Sequence, residues 1–309
     1  MKNPLVSVII PNYNHAQFLD QRIESVLSQT YSNFEIIILD DKSTDNSIDV
    51  IQKYKDNEHV SNIVTNQENS GSTFKQWKKG FELSSGELIW IAESDDACTP
   101  ELLETLVNEF EKDPKCTIAF CRSNKMDTNG NIIGSDGIEK DLHINGRLFI
   151  KKYLCRHNYV ANASSAIFRK KTLSLIDESY SNYRGNGDWL IWIEISRCGN
   201  VAYINKPMNL FRIHSSNTTA RLTYSGKSET EGVELYNYLR DKKYIGYKEE
   251  LRARITHIYS IKYGKQHEIF DVDTKEKLCK AWKVNIVIDI INWTLYQIHR
   301  VFGIKIIKR

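Results

Sequence analysis

Three carboxylates, those of Glu93, Asp95 and Asp96, follow directly after an apolar segment at residues 87–92. Like charges this close together cost free energy unless a positive group is normally beside them. Helix capping does not require these carboxylates, because Thr99 can cap the helix that is predicted to follow. We therefore predict that the acidic group binds a metal ion, since hard divalent cations prefer oxygen ligands.

Polar side chains also follow the other predicted strands of the first half. Tyr13 follows the first strand, Asp41 the second, and residues 66–71 the third. Ligands of an open parallel sheet bind outside the carboxyl ends of its strands. An aromatic face, a carboxylate that accepts from a base N–H and a carboxylate for a cation suit a nucleotide and its metal. Two alternatives stay open on the residues alone: Tyr13 as a surface aromatic and Asp41 as a helix cap.

The elements that must position these residues alternate between strand and helix through residues 5–123. Apolar runs such as LVSVIIP and FEIIILD predict buried strands, and QFLDQRIESVLSQ between them predicts an amphipathic helix. This alternation predicts an α/β fold in which a mostly parallel, Rossmann-like sheet is flanked by helices. From Tyr224 onward the pattern is helical. We therefore divide the chain into a catalytic domain at residues 1–220 and a helical C-terminal region at 221–309.

The 309 residues have an ordinary globular composition, with 41% hydrophobic and 26% charged residues. A net charge of only +3 carries no argument for a nucleic-acid partner. The six cysteines form no CxxC pair and no zinc spacing, which indicates free thiols in a reducing compartment. We find no signal-peptide pattern and no run of about 18 apolar residues that could span a membrane, so we expect a cytoplasmic protein.

Four stretches, in this order and spacing, resemble the family-2 glycosyltransferases of the GT-A fold. They are VSVIIPNYN, EIIILDDKSTDNS, NSGSTFKQWKKGFELSSGELIWIAESDD and NGDWLIWIEI. The resemblance covers residues 5–215. It implies a GT-A fold and a metal-dependent, inverting transfer of a sugar from a nucleotide-diphosphate donor.

The resemblance also implies roles for residues within the shared motifs. Pro11 and Tyr13 would line the base pocket, and Asp41 would bind the edge of the base. Asp95 would face the ribose. Asp96 would hold the Mn²⁺ or Mg²⁺ ion that bridges the donor diphosphate.

Two stretches differ from the commonest family pattern. The Asp-x-Asp motif takes the form SDD at residues 94–96, and the segment NSGSTFKQWKKG is one residue longer than the usual turn. By position, Asn69 and Lys75 would contact the donor. Lys78 or Lys79 could replace Lys75, and the alternative is that these lysines form a solvated helix face.

Sugar transfer to a hydroxyl needs a base that removes the acceptor proton. Asp188 lies in the first turn of a predicted helix, after two glycines that would allow a substrate to approach. From the residues alone it is the base or the N-cap of that helix. The resemblance implies the base, and in-line displacement by a single base inverts the anomeric centre.

Near a later strand end, Arg212 and His214 stand where related enzymes approach the diphosphate or the metal, and we predict His214 as a second metal ligand.

The C-terminal tail is basic and amphipathic. Residues 251–309 contain 12 lysines and arginines against 5 acidic residues, and apolar side chains recur at helical spacing from residue 284. Such a helix could lie on an anionic membrane surface, or pack on the catalytic domain or on a second subunit. Because acceptors of the family are often lipid-linked, we favour peripheral contact with the inner face of the cell membrane.

We predict an enzyme that adds a sugar to a surface polysaccharide or a lipid-linked oligosaccharide. One alternative, a nucleotidyltransferase, would carry a glycine-rich basic loop after the first strand, where PNYNHAQFL has none. Neither GxxxxGK[ST] nor GxGxxG follows that strand. The other alternative, a non-catalytic scaffold, would not need Asp41, Asp95, Asp96 and Asp188 together.

Overall fold

The computed structural model describes residues 2–160, 162–214, 222 and 226–302. The chain divides into two compact units. The first contains the chain up to Phe149 and from Tyr159 to His214; the second contains Ile150–Asn158 and the chain after His214. The predicted boundary after residue 220 lies outside the described residues. Ile150–Asn158 lies within the catalytic domain predicted from the sequence, but it belongs to the second unit of the structure.

The first unit is built on a ten-stranded sheet. Its first half consists of four parallel strands in the order β3-β2-β1-β4, connected by helices. These elements are β1 (Val6–Asn12), α1 (Ala16–Leu27), β2 (Phe34–Asp40), α2 (Ser47–Gln52), β3 (Val60–Thr65), α3 (Thr73–Leu83) and β4 (Leu88–Ile91). The predicted alternation of strand and helix is confirmed in this half.

The second half of the sheet is mixed and continues the order as β4-β9-β6-β10-β5. β9 runs antiparallel to both β4 and β6, whereas β6 and β10 are parallel. The elements are β5 (Ala97–Cys98), α4 (Leu102–Lys112), β6 (Cys116–Met126), β7 (Ile132–Asp136), β8 (Leu142–Asn145), α5 (Gly146–Phe149), β9 (Ala166–Arg169), α6 (Gly187–Arg197) and β10 (Asn200–Arg212). The α/β fold is therefore confirmed. The sheet is mixed because β5, β7, β8 and β9 each pair antiparallel with a neighbouring strand.

The centre of the sheet is buried because its strands are continuous apolar runs. Every residue of β1 and β4 is buried, and in β2 only Glu35 is partly exposed. Burial of one Val, Leu or Ile side chain contributes about 1.5–3 kcal/mol, so this centre is a major source of stability. It forms a rigid support for the loops at the strand ends, where the polar residues singled out by the sequence lie.

The second unit is helical, as predicted. Its longer helices are α7 (Lys227–Asp241), α8 (Tyr247–Tyr263), α9 (Val272–Ala281) and α10 (Ile286–Phe302). The hydroxyl of Tyr236 donates a hydrogen bond of 2.6 Å to the carbonyl of Cys155, which ties the segment at 150–158 to α7. Within the described part of the chain, every helix is too short or too polar to cross a membrane.

Candidate active site

Asp96 ends the acidic turn after β4, and its side chain is fully buried. Its Oδ2 accepts hydrogen bonds from Asn162 Nδ2 at 2.9 Å and from Ser164 Oγ at 2.7 Å. Its Oδ1 accepts a hydrogen bond from the backbone N–H of Arg212 at 2.9 Å. Both oxygens therefore hold the turn to β10 and to the segment before β9. These contacts give Asp96 a structural role, and its predicted role as a metal ligand stays a prediction.

The carboxylate of Asp95, in contrast, meets two histidines. Its Oδ2 lies 2.9 Å from Nε2 of His214. Ligand atoms of Asp95, His214 and His15 all lie within 4.8 Å of one another. The Nδ1 atom of His15 lies 2.9 Å from the hydroxyl of Ser94, which orients the ring. Among the described residues, this is the one group of acidic, histidine or cysteine side chains that could hold a metal ion.

Two buried arginines support the acidic turn. Arg212 Nε donates to the carbonyl of Asp95 at 2.7 Å, and Arg22 Nε donates to the carbonyl of Glu93 at 2.9 Å. The guanidinium of Arg212 also lies over the ring of Phe18, 4.5 Å from its centroid. These contacts fix the backbone of the turn, so Arg212 acts here as a support of Asp95 rather than as a surface cation.

Burial and mutual repulsion determine which carboxylates of the turn are charged. Burial, followed by the charges of Asp95 and Asp96, raises the pKa of Glu93 to about 8. Burial, followed by the charge of Asp95, raises the pKa of Asp96 to about 6. Burial acts in the same direction on Asp95, but the hydrogen bond from His214 and the charge of His15 outweigh it and lower the pKa of Asp95. The two histidines therefore favour the charged form of Asp95.

Asp41 follows β2, and its carboxylate is the centre of a hydrogen-bond network. Its Oδ1 accepts three hydrogen bonds, from Asn66 Nδ2 at 2.6 Å, the Ser70 N–H at 2.8 Å and Gln76 Nε2 at 2.9 Å. Its Oδ2 accepts one, from the hydroxyl of Ser70 at 2.8 Å. Asn69 donates to the backbone carbonyl of Asp41 at 2.9 Å, so it positions the turn. The segment after β3 thus wraps the carboxylate that follows β2.

Asp41→Asn is expected to lower the free energy of unfolding by about 1–3 kcal/mol. Asparagine keeps one acceptor oxygen, so its NH₂ group would face donors that are now bonded to the carboxylate. Urea denaturation measures the effect. The matched control is Asp56→Asn, at an exposed position, and equal stability of the two variants would contradict a structural role for the network.

The other predicted donor contacts differ in their surroundings. Pro11 is buried within β1, whereas Tyr13 is 46% exposed just beyond that strand. Lys75 is exposed, and its Nζ lies 3.2 Å from a carbonyl of the turn that wraps Asp41. The alternative Lys78 is held in an ion pair with Glu178 at 2.6 Å. Tyr13 and Lys75 are therefore the members of this set with exposed side chains at the strand ends.

Asp188 is the second residue of α6, and its side chain is half-buried. Its Oδ1 accepts a hydrogen bond from the backbone N–H of Trp189 at 2.7 Å. The N-cap position of α6 is Asn186, whose side chain makes no capping hydrogen bond.

The start of α6 packs closely against the neighbouring loops. A Cβ atom at Gly187 would lie 2.5 Å from the carbonyl oxygen of Tyr180 and 2.7 Å from the ring of Phe74. This glycine therefore permits close packing of protein groups, and not the substrate approach that the sequence suggested. Arg184 donates to the carbonyl of Gly71, in the turn that wraps Asp41. The segment that carries Asp188 is thus anchored beside the Asp41 turn.

Residues 7–175 match the protein-family model described as glycosyl transferase family 2. The chain belongs to this family. This glycosyltransferase is 29% identical over 202 residues to the putative teichuronic acid biosynthesis glycosyltransferase TuaG of Bacillus subtilis, a match covering 65% of the chain and 75% of TuaG. It is 27% identical over 218 residues to the chondroitin synthase of Escherichia coli, covering 71% of the chain but only 30% of that synthase.

Solved structures share the fold of this glycosyltransferase. The structure of S. aureus TarS 1-349 in complex with UDP-GlcNAc has a TM-score of 0.60 and 14% identity, and the match covers 98% of this chain and 93% of that one. The mannosyltransferase PcManGT from Pyrobaculum calidifontis, in complex with GDP-Man and Mn²⁺, has a TM-score of 0.57 and 13% identity, with 97% and 81% covered. The predicted family, fold and enzyme class are confirmed, and the nucleotidyltransferase and scaffold alternatives are set aside.

Sequence reasoning missed two residues of this glycosyltransferase site. His15 follows β1 by three positions, so its place after a strand end was an available signal. Arg22 lies on α1 among apolar residues of the buried face, and an arginine on such a face was the signal for a buried polar contact. His214 was predicted and does lie beside an acidic residue, although that residue is Asp95.

Proposed function

We propose that this glycosyltransferase moves a sugar from a nucleoside-diphosphate donor to a saccharide acceptor, with inversion and with the help of a divalent cation. The observation that carries the proposal is the cluster of Asp95, His214 and His15 at the end of β4. The Asp41 network lies at the end of β2 in the same parallel half of the sheet. Nucleotides bind at such strand ends in α/β folds.

The residues of the cluster fit a divalent cation. Asp95 offers a carboxylate oxygen, and His15 and His214 offer imidazole nitrogens. Mixed oxygen and nitrogen ligands favour Mn²⁺ over Mg²⁺, which prefers oxygen alone. A bound cation would offset the negative charge that develops on the departing diphosphate. The Mn²⁺ in the structure of the mannosyltransferase PcManGT supports this choice.

Asp41 is proposed to recognise the base of the nucleotide. Oδ1 is occupied by three donors, whereas among the described residues only the Ser70 hydroxyl donates to Oδ2. Each carboxylate oxygen has about two acceptor positions, so Oδ2, which accepts from one donor, retains capacity for a base N–H. Tyr13 would stack on the base, and Lys75 would approach the donor from α3. Asn69 would act by holding the turn, and Pro11 by shaping the end of β1.

Asp188 is proposed as the general base. It would accept the proton of the acceptor hydroxyl while that oxygen attacks the anomeric carbon. The bond to the diphosphate breaks on the opposite face of the sugar, so the anomeric centre inverts. Anchoring of α6 to the Asp41 turn supports the proposal, because base and donor must keep a fixed geometry.

The acceptor is proposed to be a growing surface polysaccharide or a lipid-linked oligosaccharide. The relatives TuaG, a putative teichuronic acid biosynthesis glycosyltransferase, and chondroitin synthase support this class. We propose a cytoplasmic location at the inner face of the cell membrane. All six cysteines are unpaired, in agreement with a reducing compartment.

Calorimetric titration with UDP and with GDP, each in Mn²⁺ and in EDTA, tests the proposal. We expect at least one nucleotide to bind about tenfold or more tightly with Mn²⁺ than with EDTA. A thermal-shift screen of nucleotide sugars with Mn²⁺ then identifies the donor. Equal affinity in Mn²⁺ and EDTA for both nucleotides would contradict the metal role.

A further inference from the structure

The helix α10 presents large apolar side chains to solvent. Five of them are between 56% and 75% exposed, namely Ile286, Val287, Ile290, Trp293 and Val301. They recur at helical spacing and so share one side of the helix. A contiguous exposed apolar surface marks an interaction site.

The opposite side of α10 packs within the C-terminal unit and carries polar groups. Both side-chain polar atoms of Asn292 are buried, and neither has a hydrogen-bond partner among the described residues. Asp289 pairs with Lys262 at 2.5 Å, and the ring of Tyr296 stacks on Tyr263 with centroids 4.7 Å apart. A surface helix in water turns its polar side outward and its apolar side inward. The exposed side of α10 is therefore the one expected to contact an apolar environment instead of water.

Exposed cations precede α10 and occur in its last turn. Lys280 and Lys283 are exposed just before α10, and Arg300 is exposed in its last turn. Residues 280–309 contain six lysines and arginines but one acidic residue, Asp289, which is already paired. The sequence around α10 is thus strongly cationic.

We propose that α10 lies on an anionic lipid bilayer, with its exposed apolar side chains at the boundary between headgroups and acyl chains. Apolar burial and attraction of the flanking cations to acidic headgroups would act together. Trp293 belongs to a residue type that is enriched at this boundary. Charge decides between a bilayer and a second copy of the chain, because a second copy would bring two sets of the same cations together.

This proposal uses no residue of the nucleotide site. It rests on the proposed location at the cell membrane and deepens it by naming the surface that binds and the chemistry of its partner. Failure of donor binding would leave it intact, and failure of lipid binding would leave the proposed transfer reaction intact.

Sedimentation of the full chain with lipid vesicles tests the proposal. We expect the protein to sediment with vesicles rich in phosphatidylglycerol and to remain in solution with vesicles of phosphatidylcholine alone. Binding should weaken as salt is raised, because salt screens the attraction to the headgroups. Equal sedimentation with both kinds of vesicle, or with neither, would overturn the proposal.

Two variants separate the apolar and the cationic contributions. Ile290→Glu combined with Trp293→Glu should reduce binding to phosphatidylglycerol vesicles about tenfold or more. The reason is that charged side chains would replace apolar side chains that become buried in the bilayer. Lys280→Gln combined with Lys283→Gln should reduce it about fivefold for each cation removed. The control is Val272→Glu, which adds a charge at a residue that is 69% exposed at the start of α9. It should bind like the unchanged protein.

Light scattering and nucleotide titration complete the test. Each variant should keep the mass and the nucleotide affinity of the unchanged protein, which shows that it is folded. If the double glutamate variant does not fold, the variant with both lysines replaced tests the lipid proposal alone. Lys280 and Lys283 are exposed, so their replacement should not disturb folding. The proposal is overturned if the unchanged protein is a dimer that the glutamate variant dissociates, or if the control loses vesicle binding to the same extent.

Discussion

Asp188→Asn is expected to lower the rate of sugar transfer by about 10² to 10⁴-fold, the usual contribution of general base catalysis. Asparagine has the shape of aspartate but cannot accept a proton. Its side-chain oxygen can still accept the hydrogen bond from the N–H of Trp189, which Asp188 now accepts at 2.7 Å. The start of α6 should therefore keep its structure. Steady-state transfer and calorimetric titration of the nucleotide, on the same variant, measure the two effects separately.

The expected result is a loss of turnover with almost unchanged nucleotide affinity. A matched control is Asp177→Asn, in the exposed loop before α6, where the carboxylate accepts from the N–H of Ser179 at 2.7 Å. Asparagine also caps well, so this control should turn over normally. Turnover of Asp188→Asn near that of the control would exclude Asp188 as the base.

Asp95→Asn is expected to abolish the gain in nucleotide affinity on adding Mn²⁺ and to lower transfer about 10³-fold. The amide keeps the size of the side chain but lacks the negative charge that attracts the ion. The backbone contact from Arg212 to residue 95 does not depend on the side chain, so the turn should remain in place. Titration of Mn²⁺ by electron paramagnetic resonance measures the loss of the ion directly.

Asp96→Asn distinguishes this assignment from the one that the sequence suggested. The carboxylate of Asp96 accepts three hydrogen bonds from the protein, so the amide should lower the free energy of unfolding by about 1–3 kcal/mol. Its effect on Mn²⁺ affinity should be indirect and smaller than that of Asp95→Asn. If Asp96→Asn loses Mn²⁺ at unchanged stability while Asp95→Asn retains it, the metal role belongs to Asp96.

The sequence by itself determined the α/β fold, the family and the loops that carry the site. Periodicity and apolar runs are local properties, and they are strong in β1, β2 and β4, whose side chains are almost all buried. Polar residues directly after such strands must lie at the carboxyl edge of the sheet. The position of Tyr13, Asp41 and Asp95 at that edge could therefore be predicted from their order along the chain.

The N-cap of α4 differs from the residue that the local sequence predicts. Thr99 was predicted to cap the helix after the acidic turn, but α4 begins at Leu102 and its N-cap position is Glu101. The hydroxyl of Thr99 is buried. Its backbone N–H donates to the carbonyl of Met208 in β10, a partner that local sequence does not reveal.

Only the tertiary structure decided which carboxylate of the turn faces the histidines. Asp95 and Asp96 are adjacent and chemically alike, so no local pattern separates them. Contacts from distant parts of the chain do: Ser164 and the Arg212 N–H bind Asp96, whereas His214 meets Asp95. The physical reason is that burial and hydrogen bonding set the orientation and charge of a carboxylate, and both arise from residues that only folding brings together.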